Sequence, residues 1–205
     1  MVNVCIFAIA LNLFIAFSLW LLSMYWGATQ KHRNEWGTVH WFIGTSYCET
    51  PVSIPRAFCP LINCLRTRWF GFCLSAVRVI VQDQYKQILC CQMESKRCSR
   101  SVTTDLGAGG MVPTNTPRER AAIEEVYEEL GIDVSPESLR YAHTLTPAHG
   151  VTCLLHVYWL TLRDDVKFQS KDGTYVGFRW VSKTENVANL RSDAAVLLSR
   201  KGSIQ

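Results

Sequence analysis

The chain has 205 residues, 48% of them apolar, and a formal net charge of +4. That length holds one domain and an extension, and the apolar share is enough for a core. Residues 1–72 carry five Lys+Arg against two Asp+Glu and residues 73–205 sixteen against fifteen, so the larger part is nearly neutral, which excludes a broad nucleic-acid footprint.

Val2 to Trp26 form a run of 25 residues without a charged side chain. About 20 apolar residues span a bilayer. The run lacks a basic leading region, is long for a signal peptide, and has no small-x-small cleavage site close behind it. Trp20, Tyr25 and Trp26 suit a membrane interface, and Lys31 and Arg33 place the remainder of the chain on the cytoplasmic side. The expectation is an N-terminal apolar helix, residues 1–28 forming a single-pass transmembrane anchor. The alternative is a cytoplasmic chain in which this segment is removed or is not part of the reading frame.

Residues 29–72 mix Trp36, Trp41 and Trp69 with Pro51, Pro55 and Pro60, show little periodicity, and read as a linker of unknown structure. His32 and His40 have no partners at ligand spacing and read as surface residues. Arg66 and Arg68, beside Trp69 and Phe70, read as an ordinary basic turn. Nine cysteines, an odd number, show no even framework spacing. Cys59 and Cys64 have four residues between them and Cys90-Cys91 are adjacent; neither resembles a zinc pair, so free thiols in a reducing compartment are expected.

From Cys73 the pattern becomes that of a folded domain, 73–205. Ala76–Gln82 and Gln87–Met93 predict strands around a turn near Asp83-Gln84. A polar loop with Lys96, Arg97 and Arg100 precedes Asp105–Met111, where Gly109-Gly110 permits close backbone approach. Thr116, Pro117 and Glu119 predict an N-cap, a first helical proline and a capping box, and Gly131 a left-handed C-cap, giving a helix over Pro117–Leu130. Leu139–Thr146 and Thr152–Leu162 predict strands, the second apolar on both faces and so central. Within them His156 reads as a core histidine, and His149, in the Pro147–Gly150 turn, as a weak general-base candidate. Gly177–Val181 predicts a further strand and Asp193–Arg200 a closing helix, with Ser192 as a possible cap.

The helix carries the chemistry. At about 100° per residue its apolar side is Ala122, Ile123, Val126 and Leu130, and Glu125, Glu128 and Glu129 fill a neighbouring wedge. Arg120 can offset Glu124 from one turn back. A hard divalent cation would relieve the repulsion among the glutamates; a solvated acidic face is the competing reading.

Residues 110–132 resemble the box of Nudix hydrolases, G-x5-E-x7-R-E-U-x-E-E-x-G-U, with U a bulky aliphatic. Gly110, Glu125, Val126, Glu128, Glu129, Gly131 and Ile132 match in register, while Thr116 stands at the first Glu and Glu124 at the Arg. The resemblance implies an α+β fold, an α/β/α sandwich with a mixed sheet. It implies Mg²⁺ or Mn²⁺ held by Glu125, Glu128 and Glu129, with Glu128 and Glu129 catalytic and Gly109 and Gly110 shaping the substrate loop. The reaction implied is hydrolysis of a small nucleoside-diphosphate-linked molecule at phosphorus. The family often adds an acid shortly before a strand with a Trp. Here Trp180 is present, Thr174, Tyr175 and Val176 are not acidic, and Asp172 is the nearest carboxylate. The alternative is a Nudix-like module that binds nucleotides without hydrolysis. An isomerase of isopentenyl-diphosphate type, similar in fold, would need a catalytic Cys in a distinct motif, which Cys90 and Cys91 lack.

Overall fold

The computed structural model describes residues 36–56, 62, 66–94, 102–163, 165–182 and 185–199. Among them are strands β1 (Trp36–Ile43), β2 (Ser46–Pro55), β3 (Phe70–Gln82), β4 (Ile88–Glu94), β5 (Val102–Leu106), β6 (Leu139–Leu145), β7 (Leu154–Thr161) and β8 (Gly177–Val181). Two α-helices accompany them, α1 (Arg118–Leu130) and α2 (Ser192–Ser199). The sheet is mixed: β3 pairs antiparallel with β1 and β4 and parallel with β7, and β6 completes the far side of β7. β2 pairs with β1, and β5 and β8 both pair with β4.

The sheet is covered on both faces, which is why β3 and β7 are apolar on both. Val77, Val79 and Val81 of β3, with Leu89, Cys91, Tyr158 and Leu160, pack on Ala121, Ala122, Val126 and Leu130 of α1. The alternate positions, Ile80, Ile88, Cys90, Leu155, Val157 and Trp159, pack on Ala194 and Leu197 of α2. Each fully buried aliphatic or aromatic side chain contributes roughly 1.5–3 kcal/mol, so the two-residue period of these strands decides which helix each residue meets. The outcome is the expected α+β arrangement of a mixed sheet between helices. β7 is central, as its apolar run predicts.

Three expectations are corrected. Residues 36–55 are not a linker but the strand pair β1–β2, joined to the sheet through β3, and position 73 lies inside β3. Most of β2 is exposed, which hides the alternation a strand needs to be read. His40, expected at the surface, is buried, and its Nδ1 donates to the Thr38 carbonyl at 3.1 Å. The membrane-anchored placement and its N-terminal apolar helix are not supported: no helix among the described residues is long and apolar enough to cross a membrane. Val2–Trp26, which prompted that expectation, lies outside the described residues, as do His32, Cys59, Cys64 and the basic loop of Lys96, Arg97 and Arg100.

The ends of α1 also differ from expectation in one respect. Pro117, in extended conformation, occupies the N-cap position, and no side chain caps the helix there. Glu119 makes no capping box; its carboxylate accepts the Tyr158 hydroxyl at 3.0 Å, the partner a buried phenol requires. At the other end Gly131 has φ 74°, and its N–H donates to the Tyr127 carbonyl at 3.0 Å. The last-turn carbonyls, which lack helical partners, are taken by the loop before β8. Gln169 N–H donates to Leu130 O at 3.0 Å and Lys171 N–H to Glu128 O at 2.8 Å.

Candidate active site

The segment between β5 and α1 is laid along β3. Val79 N–H donates to Ala108 O at 2.8 Å and Val77 N–H to Gly110 O at 2.9 Å. These bonds fix Gly109 and Gly110 over the strand, facing the glutamates of α1. The Gly109 N–H donates to Glu129 Oε2 at 2.8 Å. A Cβ on Gly110 would stand 1.8 Å from Glu125 Oε1, so the loop approaches the Glu125 carboxylate at a point where any larger residue would displace it.

Gly109, Gly110, Glu125, Glu128 and Glu129 all line one cavity of about 570 Å³. Glu128 is exposed and Glu125 half-buried. Glu129 is only 7% exposed. Burial pushes its carboxyl up to about 7; the Gly109 N–H and Arg78 pull it down, and Asp105 and Asp172 push it up.

Asp172 lines the same cavity. Its Oδ1 accepts the Ser170 hydroxyl at 2.8 Å and the Thr174 N–H at 2.9 Å, and its Oδ2 accepts the Thr174 hydroxyl. Its own N–H reaches the Glu128 carbonyl at 3.3 Å. The loop that closes the C-terminus of α1 therefore carries a fourth carboxylate into the cavity that the three glutamates line. Among the described residues no three His, Cys, Asp or Glu side chains are gathered closely enough to form a metal cluster. The donor set itself, carboxylate oxygens with one buried glutamate that resists its charge, fits a hard cation such as Mg²⁺.

Beneath the loop lies a buried charge system that the motif and spacing do not reveal. Asp105 is fully buried; Oδ1 pairs with Arg78 at 2.9 Å and Oδ2 with Arg191 at 2.7 Å. Arg78 is 5% exposed. Burial works against its charge, and the Asp105 carboxylate more than offsets that, so the guanidinium is held above its ordinary value. A lone arginine inside the apolar run AVRVIVQ was the available signal, because a buried cation requires a buried partner.

The remaining candidates have structural roles. His149 Nδ1 accepts the Thr146 N–H at 3.0 Å within a short 3₁₀ turn, outside the residues that line the cavity. His156 is a core residue: its Nε2 lies 2.9 Å from Ser75 Oγ and its Nδ1 2.7 Å from Thr144 Oγ1. Burial and then Arg118 pull it down to about 3, so it stays neutral. Cys90 and Cys91 are buried in β4, and burial pushes the Cys90 thiol up to about 11 and Cys91 well above its ordinary value, which makes both poor nucleophiles. Glu124 is engaged with Arg120, Nε to Oε1 at 2.9 Å, in an exposed pair one turn apart.

No protein-family model matches the chain, and no curated protein matches its sequence. Solved structures do. DR0079 of Deinococcus radiodurans is similar with a TM-score of 0.60 at 19% identity, over 79% of this chain and 98% of that one. The likeness establishes the fold. The MutT protein of Methanosarcina mazei Go1 is similar over 62% of this chain and 94% of that one, at 19% identity and a TM-score of 0.45. A Nudix-family hydrolase of Clostridium perfringens is similar over 61% and 93%, at 18% identity and a TM-score of 0.43.

Proposed function

We propose that this chain is a Nudix-type diphosphohydrolase, acting with Mg²⁺ or Mn²⁺ on the acid anhydride of a small nucleoside-diphosphate-linked molecule. The observation that carries the reading is the contact of glycine loop with acidic helix: Gly109 N–H on Glu129 Oε2 at 2.8 Å, and Glu125 against Gly110, around one cavity. Glu125, Glu128 and Glu129 would hold the metal, with Asp172 beside them. When bound, the cation supplies neutralisation of phosphate oxygens and a more acidic water. The chain's own residues do the orienting. The Gly109 N–H fixes one oxygen of Glu129 and so orients the carboxylate that would help to hold the cation. The close approach of Gly110 holds Glu125 in place, and the Asp172 loop ties down the end of the helix. Glu128, exposed at the cavity, is the carboxylate with freest access to an attacking water.

A second reading, a nucleotide-binding module without hydrolysis, is favoured by Thr116 and Glu124, which replace the Glu and Arg of the box, and by the engagement of Glu124 with Arg120. The full chain with Mg²⁺ or Mn²⁺, assayed against nucleoside triphosphates, dinucleoside polyphosphates, ADP-ribose, nucleotide sugars, NADH and coenzyme A, separates the two. Release of phosphate or nucleotide supports the hydrolase. Binding without turnover supports the module, and neither binding nor turnover contradicts both.

A further inference from the structure

The cavity that holds the carboxylates also carries arginines, among them Arg78 and Arg191. Both are tied to a single carboxylate, one to each oxygen of Asp105. Asp105 Oδ1 also accepts the Leu106 N–H at 2.9 Å, so its acceptor capacity is well used. Two guanidinium groups thus share one buried carboxylate, with Glu129 the next acid to Arg78.

The donors of Arg78 are not all used. A nitrogen of its fork donates to the Leu106 carbonyl at 3.2 Å as well as to Asp105. Its Nε–H is buried and has no acceptor among the described residues. That atom lies beside the loop, 3.1 Å from where a Cβ on Gly109 would stand. A buried guanidinium donor left without an acceptor is destabilising, and a bound ion or a catalytic role is among the explanations for such a group. Arg191 is 44% exposed at the same cavity, so its fork is open to solvent and to a ligand.

We infer that Arg78 and Arg191, held in place by Asp105, form an anion subsite for a phosphoryl group of the substrate. The inference rests on the diphosphohydrolase reading of this cavity and adds the residues that recognise the second anionic centre. A diphosphate carries two such centres. The carboxylate group can take one only through a cation, whereas planar guanidinium forks bind phosphoryl oxygens directly and in pairs. Asp105 keeps the two forks apart and fixed, so little side-chain freedom is lost on binding.

The test is calorimetric titration of the full chain with inorganic pyrophosphate in the presence of Mg²⁺. Arg191→Gln removes a fork from a half-exposed position. Arg78→Lys keeps a cation beside Asp105 and removes the Nε–H. Each variant is expected to weaken pyrophosphate binding about tenfold, the size of one lost charge-assisted hydrogen bond, with affinity for Mg²⁺ alone unchanged. If Arg78→Lys fails to fold, Arg191→Gln still decides. Unchanged pyrophosphate affinity in the folded variants, or no pyrophosphate binding by the wild type, overturns the subsite. Glu125→Gln, which should lower Mg²⁺ affinity, serves as the contrast. A chain that binds pyrophosphate through these arginines yet hydrolyses nothing keeps the subsite and loses the hydrolase reading.

Discussion

The backbone N–H of Gly109 donates to Glu129 Oε2 at 2.8 Å, across 20 residues of sequence. This bond joins the glycine loop to the helix of glutamates. In the family that the box resembles, a Glu and an Arg brace this junction, and here those positions are Thr116 and Glu124. Glu124 is turned to Arg120 at the surface, where such a pair contributes only a few tenths of a kcal/mol. Glu129 itself is bonded to the loop and set near the buried Arg78–Asp105 pair.

The burial of Glu129 gives a pH dependence. Its carboxyl is raised from the ordinary 4.5 to about 7 in the folded chain. Between those values the native state binds more protons than the unfolded state, so stability falls as pH rises and the penalty is complete above the folded value. Its ceiling is about 3 kcal/mol at roughly 1.4 kcal/mol per unit. Melting temperatures in the presence of a chelator, for wild type and Glu129→Gln, are expected to diverge in favour of the variant as pH rises from about 5 to about 8. Parallel curves would contradict the burial of a titrating carboxyl.

Gly110→Ala sets a Cβ 1.8 Å from Glu125 Oε1. Either the loop or the carboxylate must move. Titration with Mg²⁺ is expected to show affinity lowered by about 10–100-fold, the range for lost support of a metal ligand, while the core of the sheet and its melting temperature change little. Unaltered Mg²⁺ affinity would place the metal elsewhere.

Asp172→Asn removes a charge from the cavity and keeps an acceptor for Ser170 and Thr174. Because Asp172 helps to push the Glu129 carboxyl up, the variant should shift the pH dependence of Glu129 to lower pH and weaken Mg²⁺ binding. The same melting and titration series reads both effects. A pH profile unchanged from wild type would show that the loop serves only to close the helix.

A fragment beginning at residue 73 cuts β3 and removes β1 and β2. It loses Val39 and Ile54 from the cluster with Leu74 and Met111. It also loses the bond from Thr114 N–H to the Trp36 carbonyl at 2.7 Å, which holds the loop before α1. The fragment is expected to melt well below the full chain, by several degrees for each kcal/mol lost, and to bind Mg²⁺ less tightly. Equal stability would make the strand pair dispensable.

Much of the fold was legible because it rests on local chemistry. The apolar runs of β3 and β7, the Gly131 cap and the strand at Gly177–Val181 follow from period and turn residues. β1 and β2 were not legible, since β2 is mostly exposed and its pattern carries no alternation. The capping box was misread because Glu119 had a stronger claim on it from Tyr158, a residue 39 positions away. In the site, the spacing of Glu125, Glu128 and Glu129 fixed their common face. Asp172 could not be placed from spacing, because backbone bonds from its loop to the end of α1 bring it there. Arg78 and Arg191 meet only through Asp105, a contact between strands and a helix start that no local pattern encodes.

The central claim is tested most directly by comparing Mg²⁺-dependent turnover of the full-length wild type with Glu129→Gln, on whichever nucleoside-diphosphate-linked compound the wild type hydrolyses. Gln can still accept the Gly109 N–H, so the loop and the fold remain while the negative charge is lost. Turnover lowered by about 10-fold or more in a variant of equal or greater stability is the predicted result. Equal turnover in the two proteins would contradict the assignment of this cavity as the catalytic site.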